Sequence, residues 1–151
     1  MNPLKEKYYL GEIFKTRLGN SHGITIKAKP VFFFFFFECI SNGHLKENRI
    51  ELDDALLQET YHSNYLRLEQ DKQVSPFILP YYHLSSETYY SIKWTGKPFV
   101  PSPHGHSPSW KYMRQNSDYA YLENGLWELL QETGARERIV QEVEDYFFAN
   151  R

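Results

Sequence analysis

Ala28-Lys29-Pro30-Val31-Phe32-Phe33-Phe34-Phe35-Phe36-Phe37-Glu38-Cys39-Ile40 is the stretch on which the fold turns. Apolar side chains on consecutive positions leave no face for water, so this segment must be enclosed on nearly all sides. Pro30 near its head suits the first turn of a helix, where a missing N–H costs nothing. The run therefore predicts a central helix from about Lys29 to Ser41, closed by Asn42-Gly43 as a C-cap. Lys29 stands where that helix leaves the core. A lysine at the positive end of a helix dipole is locally unfavourable, and a cation fixed at the mouth of an aromatic core is a natural anion site.

Outward from this run, residues from about Pro3 to Lys15 read as a helix, followed by a polar loop through Gly19, Asn20 and Gly23. Residues 48–52 read as a short extended piece. Asp53 is then placed to cap a third helix carrying Leu56, Leu57, Tyr61, Leu66 and Leu68. Residues 77–84 and 88–94, rich in strand formers, flank Ser85-Ser86-Glu87 and predict a β-hairpin. Pro80 belongs at an edge or bulge of that hairpin, because it cannot donate to the ladder. Tyr81 and Tyr82 would alternate faces, one in the core and one exposed. A loop rich in Pro, Gly, Ser and His spans 95–109, and Tyr119-Ala120-Tyr121-Leu122 reads as a short strand. Two helices follow, at about 124–133 and 135–149, broken at Gly134. The expected architecture is α+β in a single domain over residues 1–151: a small antiparallel sheet packed by about five helices, with the Phe-rich helix buried at the centre.

Composition narrows the setting. Aromatic residues make up 17% of the chain, supplying core volume and, through tyrosine, amphipathic surface. The lone cysteine, Cys39, lies inside the apolar run and reads as a buried structural thiol. The charged N-terminus has no apolar core of a signal peptide, and the apolar run is far too short to span a bilayer. A reducing, cytoplasmic setting without membrane contact is expected.

The net charge of −2 taken alone argues against nucleic acid, but its distribution points the other way. Residues 1–37 carry Lys5, Lys7, Lys15, Arg17, Lys27 and Lys29 against only Glu6 and Glu12. Residues 88–117 carry Lys93, Lys97, Lys111 and Arg114, with His104 and His106, and no acid. Acids concentrate in 38–71 and 118–145, a segregation that suggests one basic face on an otherwise acidic protein.

Motifs for chemistry are lacking. One cysteine rules out a zinc knuckle, and neither a phosphate-binding glycine loop nor a Gly-x-Ser-x-Gly elbow is present. Asp53-Asp54 reads as a helix start rather than a metal pair, and His104-Gly105-His106 has no evident third ligand. No cofactor is implied.

The ordered pieces resemble a known module. They are Lys29-Pro30 opening an apolar helix; Gly43-His44-Leu45-Lys46-Glu47-Asn48-Arg49-Ile50-Glu51-Leu52-Asp53 before the next helix; and Leu79-Pro80-Tyr81-Tyr82-His83-Leu84 leading to a strand with Trp94. Tyr119-Ala120-Tyr121-Leu122, Leu126-Trp127-Glu128-Leu129-Leu130 and Tyr146-Phe147-Phe148 complete the set. In this order they resemble the N-terminal sulfur-binding domain of phosphorothioate-dependent restriction endonucleases, which usually precedes an HNH nuclease domain.

The resemblance implies a reader of double-stranded DNA in which sulfur replaces a non-bridging phosphate oxygen, serving a modification-dependent (type IV) restriction system. The sulfur dish would centre on Pro80, with Leu79, Tyr81, Tyr82 and His83 as walls and Lys29 at its side. Leu79 stands where the family often has an aromatic, and Ala28 precedes Lys29, removing one polar contact. His22 and Lys27 before the buried helix, Lys93 on the second strand, and the loop residues His104, His106, Ser107 and Ser109 would meet bases or phosphates. Lys111 and Arg114 would follow as backbone clamps.

The physics of such a dish stands independently. Sulfur is larger and softer than oxygen and a poorer hydrogen-bond acceptor, so apolar atoms desolvate it cheaply. The same atoms would strip water from an ordinary phosphate oxygen at a cost of roughly 1–3 kcal/mol. Discrimination then rests on a penalty against oxygen, while nearby cations answer the remaining charge. Three alternatives stay open at this point. One is a reader of other modified or unmodified DNA. The second is a protein-interaction domain using the acidic C-terminal helices. The third is a small-molecule enzyme using His83, His104 or His106.

Overall fold

A computed structural model describes residues 3–69, 72–101 and 106–148. In chain order the elements are α1 (Pro3–Phe14), β1 (Gly19–Ser21), β2 (Ile24–Ile26), α2 (Ala28–Ser41), α3 (Ala55–Leu68) and α4 (Ile78–His83). A 3-10 turn (Leu84–Ser86) follows, then β3 (Tyr90–Trp94), α5 (Trp110–Asn116), β4 (Ser117–Leu122), α6 (Asn124–Leu130) and α7 (Thr133–Phe148). The fold is α+β.

Helix α2 is the Phe-rich run, buried without a break from Pro30 to Phe37. Its helical neighbours are α3, α4 and α7, and its rings pack against these and against the start of β3. Phe32 meets Phe77 at 5.3 Å, and Tyr61 and Tyr90 each at 6.0 Å between centroids, while Phe33 meets Tyr89 at 5.0 Å. Phe34 turns the other way, edge-on to Phe148 at 5.8 Å. Such ring pairs add about 0.5–1.5 kcal/mol each beyond the area they bury. Asn42 caps the helix and Gly43 follows at φ 82°, the left-handed conformation expected of a C-cap glycine. Cys39 is fully buried and burial pushes its thiol up to about 11, so it is an inert packing group.

Residues 77–84 overturn the hairpin expectation: they form α4 and the start of the 3-10 turn. Ile, Leu and Tyr favour strands individually, but Pro76 and Pro80 lack the N–H a ladder needs. A helical first turn accepts that lack. Pro80 occupies the third position of α4, as Pro30 does in α2. Tyr81 and Tyr82 are consequently both buried rather than split between faces. The Tyr81 hydroxyl donates to the Ile50 carbonyl at 3.3 Å and the Tyr82 hydroxyl to the Phe99 carbonyl at 3.2 Å.

Strand β3 pairs antiparallel with the distant β4, Tyr90 opposite Leu122 and Lys93 opposite Tyr119. On the other edge of β4, Ile50 and Ala120 exchange two backbone hydrogen bonds of 2.8 Å. The Asn48 amide group imitates a further backbone pair: its Nδ2 donates to the Leu122 carbonyl at 2.7 Å and its Oδ1 accepts the Leu122 N–H at 2.8 Å. Within the expected extended piece 48–52, the pairing is therefore an isolated bridge at Ile50 helped by the Asn48 side chain, not a strand.

A second two-stranded sheet, β1–β2, occupies the expected polar loop. His22 at φ 52° and Gly23 at φ 81° make its tight turn. Asp54, not Asp53, caps α3; one of its carboxylate oxygens accepts the N–H groups of Leu56 and Leu57 at 3.0 and 3.2 Å. The chain breaks between α6 and α7 at residues 131–132, leaving Gly134 inside the first turn of α7. With α4 and α5 added to the five expected helices there are seven among the described residues. None of them is long and apolar enough to cross a membrane.

Candidate functional site

A hollow of about 430 Å³ opens between the first turn of α2, helix α4 and the loop leading into β1. Leu18, Ile26, Ala28, Leu79 and Pro80 give it apolar walls; Arg17, Asn20, Lys29, His83 and Ser86 are among its polar lining. The local sequence explains the convergence. Leu79, Pro80 and His83 are spaced so that one turn of α4 presents them on a common side. Ala28 and Lys29 reach the hollow because α2 begins there. Lys27 at its N-cap supplies no side-chain hydrogen bond, so the first amides of α2 are without a capping partner from that residue.

Lys29 is not a bare cation. Its Nζ lies 2.8 Å from Glu87 Oε2 and 3.3 Å from Ser86 Oγ. The same Glu87 oxygen accepts the Arg17 backbone N–H at 3.3 Å. The exposed Arg17 guanidinium, by contrast, has no ion-pair partner among the described residues, so it is the open positive charge at the rim. His83 Nε2 lies 2.7 Å from Ser107 Oγ. Burial, and secondly the Lys29 charge, hold the His83 imidazole below its ordinary value. It is neutral at pH 7 and works as a hydrogen-bonding group.

The remaining candidates are dispersed. Tyr81 and Tyr82 do not line the hollow; they brace α4 from behind through the bonds already described. His22, exposed at the β1–β2 turn, lines a neighbouring hollow of about 460 Å³ that shares Ile26 and Ser75 with the first. Lys27 turns away, its Nζ donating to the Phe147 carbonyl at 2.6 Å and lying 5.3 Å from the Phe148 ring centroid, where it serves the end of α7.

The second basic region is interleaved with acids. Arg114 grips Asp53 at 2.8 Å and covers the Trp110 ring at 5.3 Å. Lys93 lies 5.7 Å from the Tyr119 ring centroid, and Arg49 sits above the same ring at 4.3 Å while pairing with Glu51 and Asp118. Glu51, Asp53, Asp54 and Asp118 line a cleft beside Arg114. Ser109 caps α5 by accepting the Tyr112 N–H at 3.0 Å, Lys111 is exposed on that helix, and His106 is exposed ahead of it. His104 lies outside the described residues. The second basic region thus carries acids beside its Arg114; among the described residues, only Lys29 and His83 of the cations and histidines expected at the site line the hollow itself.

Arg17, Ser86 and Glu87 were missed by sequence reasoning. A signal for Glu87 existed: a half-buried lysine at a positive helix end demands a counter-charge, and Glu87 is the acid just before the acid-free stretch 88–117. Among the described residues no group of three or more His, Cys, Asp or Glu side chains is arranged to hold a metal ion. No family model and no curated protein matches the chain.

Proposed function

We propose that this chain is a recognition domain for duplex DNA carrying a phosphorothioate, the reader of a modification-dependent restriction system with no catalysis of its own. One observation carries the reading: an open hollow in which Leu79, Pro80 and Ile26 form apolar walls while Lys29 and Arg17 stand at the edge. Such a hollow suits one large, soft, weakly hydrated atom attached to an anion. At the Leu79–Pro80–Ile26 wall a non-bridging oxygen is disfavoured, because it would lose its water there while the donors stand at the rim. The start of α2, which the Lys27 side chain does not cap, adds partial positive charge on the same side. On this reading the partner is double-stranded DNA in the cytoplasm, and cleavage belongs to a nuclease domain or subunit.

The test is the affinity of the chain for one duplex with and without a single Rp-phosphorothioate. Sulfur should tighten binding by roughly tenfold or more, about 1.4 kcal/mol. Lys29→Ala should weaken both complexes and reduce the slope of log affinity against log salt by about one. Equal affinity for the two duplexes overturns the sulfur reading.

A further inference from the structure

The Lys29–Glu87 pair is nearly enclosed, with 15% and 8% of the two side chains exposed. Around Glu87 Oε2 converge Lys29 Nζ at 2.8 Å and the Arg17 N–H at 3.3 Å, with Ser86 Oγ also at 3.3 Å. A carboxylate oxygen thus occupies the place where donors meet at the rim of an apolar hollow. That is the arrangement an anionic phosphodiester oxygen would use. The groups facing it come from several elements: Lys29 from α2, Arg17 from the loop before β1, His83 from α4 and Ser86 from the 3-10 turn. Of these only Lys29 and Arg17 are positive at pH 7, so with Glu87 in place the rim keeps a net charge near that of Arg17 alone.

We propose that Glu87 is a resident counter-anion, displaced from Lys29 by a DNA backbone oxygen whenever a strand docks; this rests on reading the hollow as the DNA site. Before docking, Glu87 satisfies a lysine that would otherwise be buried without a partner beside the positive end of α2. After docking, the same lysine holds phosphate and Glu87 is left near a second negative charge. Glu87 therefore lowers the affinity for any strand, modified or not. Because the exchange is the same for both duplexes, it sets the strength of binding and leaves the preference for sulfur to the apolar wall. The effect keeps the domain off bulk unmodified DNA, where the number of competing sites is large.

Glu87→Gln tests this, because glutamine keeps an oxygen that can accept the Lys29 and Arg17 N–H groups while losing the charge. Glu87→Ala serves as a second variant, and Glu59→Gln, an exposed acid on α3, controls for net charge. Dissociation constants are measured for the paired duplexes at about 0.15 M salt, where remote exposed charges are largely screened. Glu87→Gln should tighten both duplexes by a common factor of about ten, with Glu59→Gln changing them less than about twofold. No gain over the Glu59→Gln control, or a gain confined to one duplex, overturns the proposal. Equal affinity of the unsubstituted chain for the two duplexes sinks the sulfur reading alone, and the Glu87 proposal still stands if both complexes tighten. Failure of every variant to bind DNA overturns both.

Discussion

The hollow beside the start of α2 and the surface around α5 and β4 are built from similar residues and end in opposite electrostatic states. Around α5 and β4, Arg114 of the acid-free stretch meets Asp53 from elsewhere in the chain, while Arg49, from the acid-rich segment, reaches Glu51 and Asp118. At the hollow only Lys29 is matched, by Glu87, and Arg17 remains open beside an apolar wall. The charge run of 88–117 is therefore answered in part by an acid that the fold brings from elsewhere. What singles out a binding place is a cation next to apolar atoms that water can still reach.

The comparison breaks most visibly at Pro80. Glutamate suits the third position of a helix, but Pro80 is itself buried, so Pro80→Glu places a carboxylate against the apolar wall at some cost in stability. Sulfur preference should vanish and affinity for the modified duplex should fall by roughly a hundredfold, about 2.7 kcal/mol, as expected for a like charge set against a phosphodiester. Titration calorimetry on the duplex pair, with a melting curve to verify folding, reads both. Retained preference would place the sulfur elsewhere.

A second effect separates the two regions by pH. His83 at the hollow is held neutral and below its ordinary value by burial first and by Lys29 second. Below about pH 6.5 the unfolded chain binds a proton that the folded chain resists. Its contribution to stability is thus complete above that pH and shrinks as pH falls. The urea midpoint should drop between pH 7.5 and 5.5, and His83→Gln should reduce the size of that drop. An identical pH dependence in the variant would deny His83 this environment.

The smallest change is expected on the other side. Arg114→Ala removes an exposed pair worth little in stability, and with Asp53 already engaging the guanidinium it should alter DNA affinity by less than about threefold. A tenfold loss measured by fluorescence anisotropy would return α5 to the interface and erase the contrast.

How far the sequence anticipates this picture depends on the range of the forces involved. The Phe-rich helix, the Gly43 cap, the buried thiol and the strand through Tyr119–Leu122 are dictated by neighbours within a turn or two, and each was legible. Residues 77–84 were not, because side-chain preference for strands competed with two prolines that only a helical turn accommodates. Asp53 and Asp54 are adjacent and chemically alike. Which one caps α3 is settled by the orientation of the chain at that point, and the other then turns to Arg114. The site was half legible. Lys29, Leu79, Pro80 and His83 converge, yet Arg17 and Glu87 join them from distant points in the chain, and Lys27 is drawn off by the end of α7. Those pairings are fixed by tertiary packing, about which local periodicity is silent.

The central claim is that one non-bridging position of a backbone phosphate sits against the Leu79–Pro80 wall. It is tested most directly by comparing the two diastereomers of a single phosphorothioate with the unmodified duplex under one salt condition. Only one position can face the hollow, so the Rp duplex should bind at least about tenfold more tightly than the unmodified one while the Sp duplex shows no gain. Equal tightening by both diastereomers, or by neither, would contradict the account.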